Sequence, residues 1–278
     1  MESMLSAHEI GEGLPVLIIH GWEMEGRVEQ RDFELIFSKT PGLRRIYVDL
    51  PGMGTTPANN IKDLDDIYLR LVQFIDARLG KSRFLLVGSS CGGYLARAIA
   101  QKYIKQVDGL LLRVPLIEPK DSMRDLDAFE PLVANEQLMS SMSAEDRTLL
   151  GNVLVQTPAY VQTLKAKYEE VYLPAGKAAD KKVLDPIRAD PHRYQLSFSL
   201  DESAKFFAPT LIVCGRQDDC VGYRDSLRLL ELYPRSTYLV LDRGTHGLPI
   251  DASETRLFGA LVRDWIFRVD EWRGRTDR

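Results

Sequence analysis

Residues 16–19, 84–87, 109–112 and 210–214 are short apolar runs with almost no polar alternation. A strand with one face in water alternates apolar and polar residues; a strand covered on both faces does not. Such runs call for a sheet with helices on each side. Between them lie stretches of helical period. Residues 63–79 place Leu64, Ile67, Leu71, Phe74 and Ile75 on one face and end at Gly80, a residue suited to a helix C-cap. Residues 90–103 repeat the pattern with Leu95, Ala96, Ile99 and Tyr103. Further strands read at 45–48 and 236–241, and further helices at 223–233 and 253–267. The alternation predicts an α/β fold: a mostly parallel sheet of about seven or eight strands, helices on both faces, and an edge strand near residues 4–10 running antiparallel.

Residues 116–206 break this rhythm. They are helical in pattern, rich in Met, Leu, Glu and Lys, punctuated by Pro119, Pro131, Pro158, Pro174, Pro186 and Pro191, and hold no strand-like run. The expected organisation is a core formed by residues 1–115 and 207–278, interrupted by a helical cap at 116–206. Met139 and Met142 read as cap core rather than as substrate contacts.

Composition excludes several classes. A net charge of −4 and a pI of about 5.7 give no basic surface for nucleic acid. The Arg-rich end, 273–278, reads as a solvated tail. Cys91, Cys214 and Cys220 form neither a disulfide framework nor a metal-ligand spacing. No metal and no organic cofactor is expected. The N-terminal stretch lacks the apolar centre of a signal peptide, and no run is long enough to span a bilayer. These features lead to an expected cytoplasmic protein with no membrane partner. A homodimer is open, since no residue here bears on it.

The strand at 84–87 leads into Gly88-Ser89-Ser90-Cys91-Gly92-Gly93, and a helix follows. This is G-x-S-x-G in the strand–turn–helix setting of a nucleophile elbow. Small residues at 88 and 92 allow a tight turn that presents the Ser90 hydroxyl at a helix N-terminus, with the amide of Cys91 facing a developing oxyanion. The bland alternative is a glycine-rich turn. Ser89 is one place early and should point away. Cys91 is a nucleophile in principle, but its amide is the expected contribution.

A serine hydroxyl needs a base, and the base needs an orienting acid. Of the four histidines, His8 lies in the edge strand, His192 in the cap, and His20 at the end of the first core strand. His246, in Gly244-Thr245-His246-Gly247, follows the last strand, where parallel sheets display functional groups. His246 is therefore the expected base. The acid should follow the strand at 210–214. Asp218 is the first choice and Asp219 its neighbour rival; Glu118 and Asp121, beyond an earlier strand, are a second pair. The order Ser90, Asp218, His246 is the one stated for a nucleophile elbow of this kind.

With these residues in view, the chain resembles the α/β-hydrolase fold family, in its serine-nucleophile branch with a helical cap. His20-Gly21-Trp22 is similar to that family's His-Gly turn, which carries the oxyanion loop. Asp49-Leu50-Pro51-Gly52-Met53-Gly54-Thr55-Thr56 is similar to its Asp-x-x-Gly-x-Gly-x-Ser stretch, with Thr56 in place of Ser. The segment 215–221 resembles the one that holds its acid. The resemblance implies an oxyanion hole made by the amides of Cys91 and Trp22, with Glu23 as the alternative to Trp22. It also implies acyl chemistry on a small or medium substrate: a carboxylester, lactone or thioester, or carbon–carbon cleavage of a vinylogous diketone. A serine at the elbow argues against the relatives that use a carboxylate nucleophile. Two other outcomes share the fold: a ligand-binding sensor with little turnover, and a perhydrolase or haloperoxidase-like activity. Arg113, at the end of the fourth core strand, is a candidate for holding a substrate carboxylate, with a structural ion pair as its alternative. Trp22 is a candidate floor for an acyl pocket, with plain packing as its alternative.

Overall fold

The structure is a computed structural model that describes residues 4–200 and 204–276. Positions 1–3 of the N-terminal stretch, 201–203 of the expected cap and 277–278 of the Arg-rich end lie outside the described residues. Seven strands form one sheet: β1 (Ala7–Ile10), β2 (Leu14–Ile19), β3 (Leu43–Val48), β4 (Phe84–Ser89), β5 (Val107–Arg113), β6 (Thr210–Gly215) and β7 (Ser236–Leu241). Their order is β1-β3-β2-β4-β5-β6-β7. Only β1 is antiparallel, pairing Ala7 with Val48 at the edge. The runs that lacked alternation are the strands buried along their length, β4, β5 and β6. They lie inside the sheet, where both faces are covered.

Helices α1 (Gly26–Phe37) and α9 (Ala252–Thr276) cover one face of the sheet; α2 (Leu64–Arg78) and α3 (Cys91–Lys102) cover the other. The period read in α2 is the buried stripe Leu64, Ile67, Leu71, Phe74 and Ile75, and Asp63 caps it by accepting the Asp66 amide. Gly80 follows at φ +56 and donates its amide back to Ile75. On the opposite face, α9 lies so close to β5 that a Cβ on Gly109 would overlap Val269 and Trp265.

Three expectations need correction. Residues 26–37 form a helix that the sequence reading left unassigned, because its inward face mixes Glu29 and Asp32 with Val28, Phe33, Ile36 and Phe37. The stretch 223–233 holds not an α-helix but a 3-10 turn over Asp225–Glu231. The Arg-rich end is no solvated tail up to Thr276: it continues α9, and Arg273 Nε reaches the buried Asp108 Oδ2 at 3.1 Å.

The chain between β5 and β6 holds a 3-10 turn (Asp121–Met123), α4 (Glu136–Ser141), α5 (Ala144–Leu150), α6 (Pro158–Lys167), a π-turn (Tyr168–Tyr172), α7 (Leu173–Ala178) and α8 (Lys181–Ala189). Among the described residues its strand-like content is one isolated bridge, Val133 to Val155. Leu150, Val153, Leu154, Val155, Tyr160 and Leu164 form a small apolar cluster with Ile250 of the core, against which Met139 and Met142 pack. No helix among the described residues is long and apolar enough to cross a membrane.

Candidate active site

After β2 the chain moves outward to β3, then returns to lay β4 on the other side of β2. Ligands of open parallel sheets bind outside the carboxyl ends of strands at such a reversal. Here the two strands that flank it end in His20 and in Ser89 and Ser90.

Ser90 sits at φ 54, ψ −124, a conformation that L-residues rarely adopt. Its neighbours hold it there. The Ser90 amide donates to the Arg113 carbonyl, and the Ser90 carbonyl accepts from the amides of Gly93 and Leu116. A Cβ on Gly88 would fall on the Gly92 carbonyl and lie 2.7 Å from the Ala96 Cβ; one on Gly92 would fall on the Ile19 and His20 carbonyls. These two glycines let β4, α3 and the end of β2 meet at one point.

The geometry of the three expected residues is simple. Ser90 Oγ lies 3.0 Å from His246 Nε2, and His246 Nδ1 lies 3.0 Å from Asp218 Oδ2. The other Asp218 oxygen accepts the amides of Cys220 and Val221 at 2.9 and 3.0 Å. Burial alone would raise the Asp218 carboxyl. The His246 charge and hydrogen bond, with the two amides, outweigh it and hold Asp218 below the usual carboxylate range. Burial alone would lower His246; Asp218 and then Cys220 reverse this and hold the imidazole well above its ordinary value.

The rivals are placed elsewhere. Asp219 is exposed and pairs weakly with Asn152 at 3.4 Å. Glu118 accepts the Lys120 amide, and Asp121 pairs with Arg124 and Arg188. Ser89 points away from His246 and donates to Glu29 Oε2 at 2.8 Å. Burial pushes the Cys91 thiol up to about 11, which leaves it protonated and unreactive. His20 is buried, its pKa lowered by that burial, and it braces the turn: Nδ1 bonds the Gly21 carbonyl at 2.7 Å and Nε2 accepts the Leu50 amide at 2.9 Å. The Asp49 carboxylate accepts amides from Gly26 and Thr55, and the Thr56 hydroxyl donates to the Asp49 carbonyl. The 49–56 motif therefore shapes loops beside the site and starts α1.

Trp22 lies at the carboxyl end of β2 on the wall of a cavity of about 1060 Å³, whose floor holds Ser90 and His246. Among the described residues no protein acceptor takes the amide of Trp22. Cys91 is the first residue of α3, so its amide has no partner within the helix. Val28, Leu149, Tyr172, Tyr194 and Val221 give the cavity a mainly apolar wall.

Arg113, a candidate for holding a substrate carboxylate, takes the structural ion pair that was its alternative, which corrects the substrate-contact assignment. It is 5 % exposed and its donors are committed within the protein. Nε donates to Ser89 Oγ (2.9 Å), Nη1 to Asp32 Oδ2 (2.6 Å) and the Leu248 carbonyl (3.3 Å), and Nη2 to both Glu29 oxygens (2.8 Å each). The cation that the sequence reading missed is Arg188 on α8. It lines the cavity, stacks 4.6 Å from the Tyr194 ring and bonds Asp121 through Nη2 alone. Nothing local in the sequence separates Arg188 from the other basic residues of this segment. Lys167 has no exposed surface, and nothing local in the sequence marks it as buried. Glu29 and Asp32 did carry a signal: two acids three residues apart within an apolar helical face.

Comparison with known proteins places these features in context. A family profile described as "alpha/beta hydrolase fold" matches residues 15–253. The chain is similar to a 2-hydroxy-6-oxo-2,4-heptadienoate hydrolase of Pseudomonas putida, 26% identical over 95% of this chain and 92% of that one. It is also similar to Lipase 3 of a Moraxella species, 26% identical over 86% of this chain and 74% of that one. Among solved structures it is similar to an alpha/beta superfamily hydrolase of Oenococcus oeni, with TM-score 0.83, 26% identity and 96% of each chain covered.

Proposed function

The chain belongs to the α/β-hydrolase fold family and is a hydrolase; from that premise we propose that it cleaves a small or medium carboxylester through an acyl-enzyme on Ser90. The observation that carries this reading is the relay from Ser90 Oγ through His246 to Asp218, 3.0 Å at each step, on the floor of a largely apolar cavity. Ser90 Oγ attacks the carbonyl carbon as its proton passes to His246 Nε2. Asp218 holds the imidazole in the tautomer that can accept it and stabilises the resulting charge. The tetrahedral oxyanion lies against the amides of Cys91 and Trp22. Collapse returns the proton from His246 to the leaving alcohol. Water, deprotonated by His246, then attacks the acyl group and releases the acid and free Ser90. The substrate partner is a small molecule.

A second reading is carbon–carbon cleavage of a vinylogous diketone that carries a carboxylate. One observation favours it: Arg188 faces the cavity with Nε and Nη1 outside its pair with Asp121. The relative from Pseudomonas putida is named for a dienoate substrate of this type.

The test is labelling with a fluorophosphonate, run beside steady-state turnover of nitrophenyl esters of short and medium acyl chains. Wild type should label once per chain and turn over repeatedly. Ser90→Ala should not label and should lose roughly 10⁵-fold or more of its turnover. Labelling without repeated turnover of any ester would remove the esterase reading and move the diketones, or a sensor with one bound ligand, to the front.

A further inference from the structure

The cluster around Arg113 joins both members of the reacting pair to one set of buried charges. Lys167 comes from α6 and is 0 % exposed. Its three ammonium protons meet three acceptors: Asp32 Oδ2 at 2.7 Å, the Gly247 carbonyl at 2.9 Å and the Pro249 carbonyl at 3.0 Å. Arg113 takes the carbonyl between them, that of Leu248. Two cations therefore hold three consecutive carbonyls of the chain that follows His246. On the nucleophile side, Ser89 bonds both Arg113 and Glu29, and its peptide leads directly into Ser90. Glu29 and Asp32 on α1 neutralise the two cations.

Burying four charges contributes little net stability, because desolvation offsets most of the attraction. What the cluster does supply is geometry. Each of its bonds has a fixed direction, and its bonds to the main chain end on the His246 loop. A loop held only by apolar contacts could slide by an ångström at small cost, and a misplacement of that size costs catalysis about a hundredfold.

We propose that Lys167 is a positioning residue: seated between Asp32 and the Gly247 and Pro249 carbonyls, it fixes the loop carrying His246, so that Ser90 and His246 come into reacting register only when the helical segment bearing Lys167 is docked. The claim rests on the hydrolase reading at Ser90. The groups facing Lys167 are Glu29, Asp32 and Arg31 from α1, Arg113 from β5, Glu254 from α9, and Tyr168 and Tyr172 from its own segment; those facing His246 are Asp218, Cys220 and Tyr172.

The experiment compares wild type with Lys167→Met, with Lys167→Arg, and with the double variant Asp32→Asn, Lys167→Met. The double variant removes one charge of each sign, so no unbalanced ion remains in the core, and it can fold even where Lys167→Met does not. Melting and circular dichroism follow the fold, fluorophosphonate titration counts working sites, and the low-field proton resonance of His246 Nδ1–H reports the imidazole without any substrate. The double variant should fold, keep KM within about twofold and lose about a hundredfold in kcat per titrated site, with the His246 resonance broadened or displaced. Lys167→Arg, which keeps charge and donors, should recover most of that loss. An unmoved resonance with kcat per titrated site within about twofold of wild type would reduce Lys167 to packing and overturn the proposal. If wild type neither labels nor turns over, the hydrolase reading fails, and the resonance still decides whether Lys167 places His246.

Discussion

For the proposed triad of Ser90, Asp218 and His246, residue type alone does not guarantee the chemistry, and environment makes the difference. Asp218 accepts two amides on one oxygen and the imidazole on the other, so it is ionised and fixed at once. That charge raises His246 above its ordinary value against the pull of burial. Since Ser90 needs the neutral imidazole, activity is lost as pH falls through the His246 pKa, and a raised pKa sets this acid limb above the range of a free histidine. In Asp218→Asn the raising charge is gone while burial remains. The limb should move to lower pH, and the rate should fall by roughly a thousandfold or more through loss of the correct tautomer. Profiles of kcat/KM against pH for both proteins check this, and an unshifted limb would refute the assignment of Asp218. The three residues were legible as candidates because Ser90 directly follows a strand and Asp218 and His246 lie three and five residues past one, each strand announcing itself by composition. Of the two tasks open to Arg113 from the sequence, its contacts fill the structural ion pair. Its acidic partners Glu29 and Asp32, and the Lys167 that shares Asp32 with it, lie 58 or more residues from Ser90 along the chain, and no local pattern joins all three.

At the scale of elements, the meeting of β4 with α3 is what places the hydroxyl. The close approach depends on the absence of two side chains, at Gly88 and Gly92. Gly88→Ala would drive a methyl group into the Gly92 carbonyl and the Ala96 side chain, neither of which is a flexible end. The expected cost is about 3 kcal/mol or more, with labelling of Ser90 lost in whatever fraction still folds. Chemical unfolding beside fluorophosphonate titration measures both. A variant that labels at the wild-type rate and unfolds at the same midpoint would show that the elbow has room the structure does not give it. The covered strands and α2 were legible because burial on two faces, or on one stripe, writes directly into composition. Helix α1 was not, since Glu29 and Asp32 interrupt its apolar face for the sake of the cluster beneath the site. The π-turn Tyr168–Tyr172 was equally hidden: one residue more than an α-turn leaves no mark in the sequence, yet it sets Tyr168 and Tyr172 on the cavity wall.

For the molecule as a whole, the site lies where the sheet reverses its strand order, and the segment between β5 and β6 roofs it. The alternation of strands and helices predicted a mostly parallel sheet but not the strand order that creates the reversal; the break in that rhythm gave the expectation of a helical segment at 116–206. The shape of the cavity was not legible, because it is formed by side chains from six or more separate stretches that meet only after folding. Its size bears directly on which esters fit. Leu149, from α5, stands where the large cavity meets a smaller one of about 240 Å³ beyond Tyr168, and both share His246. A longer acyl chain that runs from Ser90 toward the smaller cavity passes Leu149, which lines both, whereas a chain of a few carbons stays nearer the serine. Leu149→Trp should therefore leave short esters nearly unaffected and lower kcat/KM for medium-chain esters by roughly tenfold or more, the equivalent of two buried methylenes. The ratio of the two substrates in each protein removes any common effect on folding. If the ratio is unchanged, the acyl chain runs along another wall, and Arg188 becomes the residue whose substitution should next be read against chain length and charge.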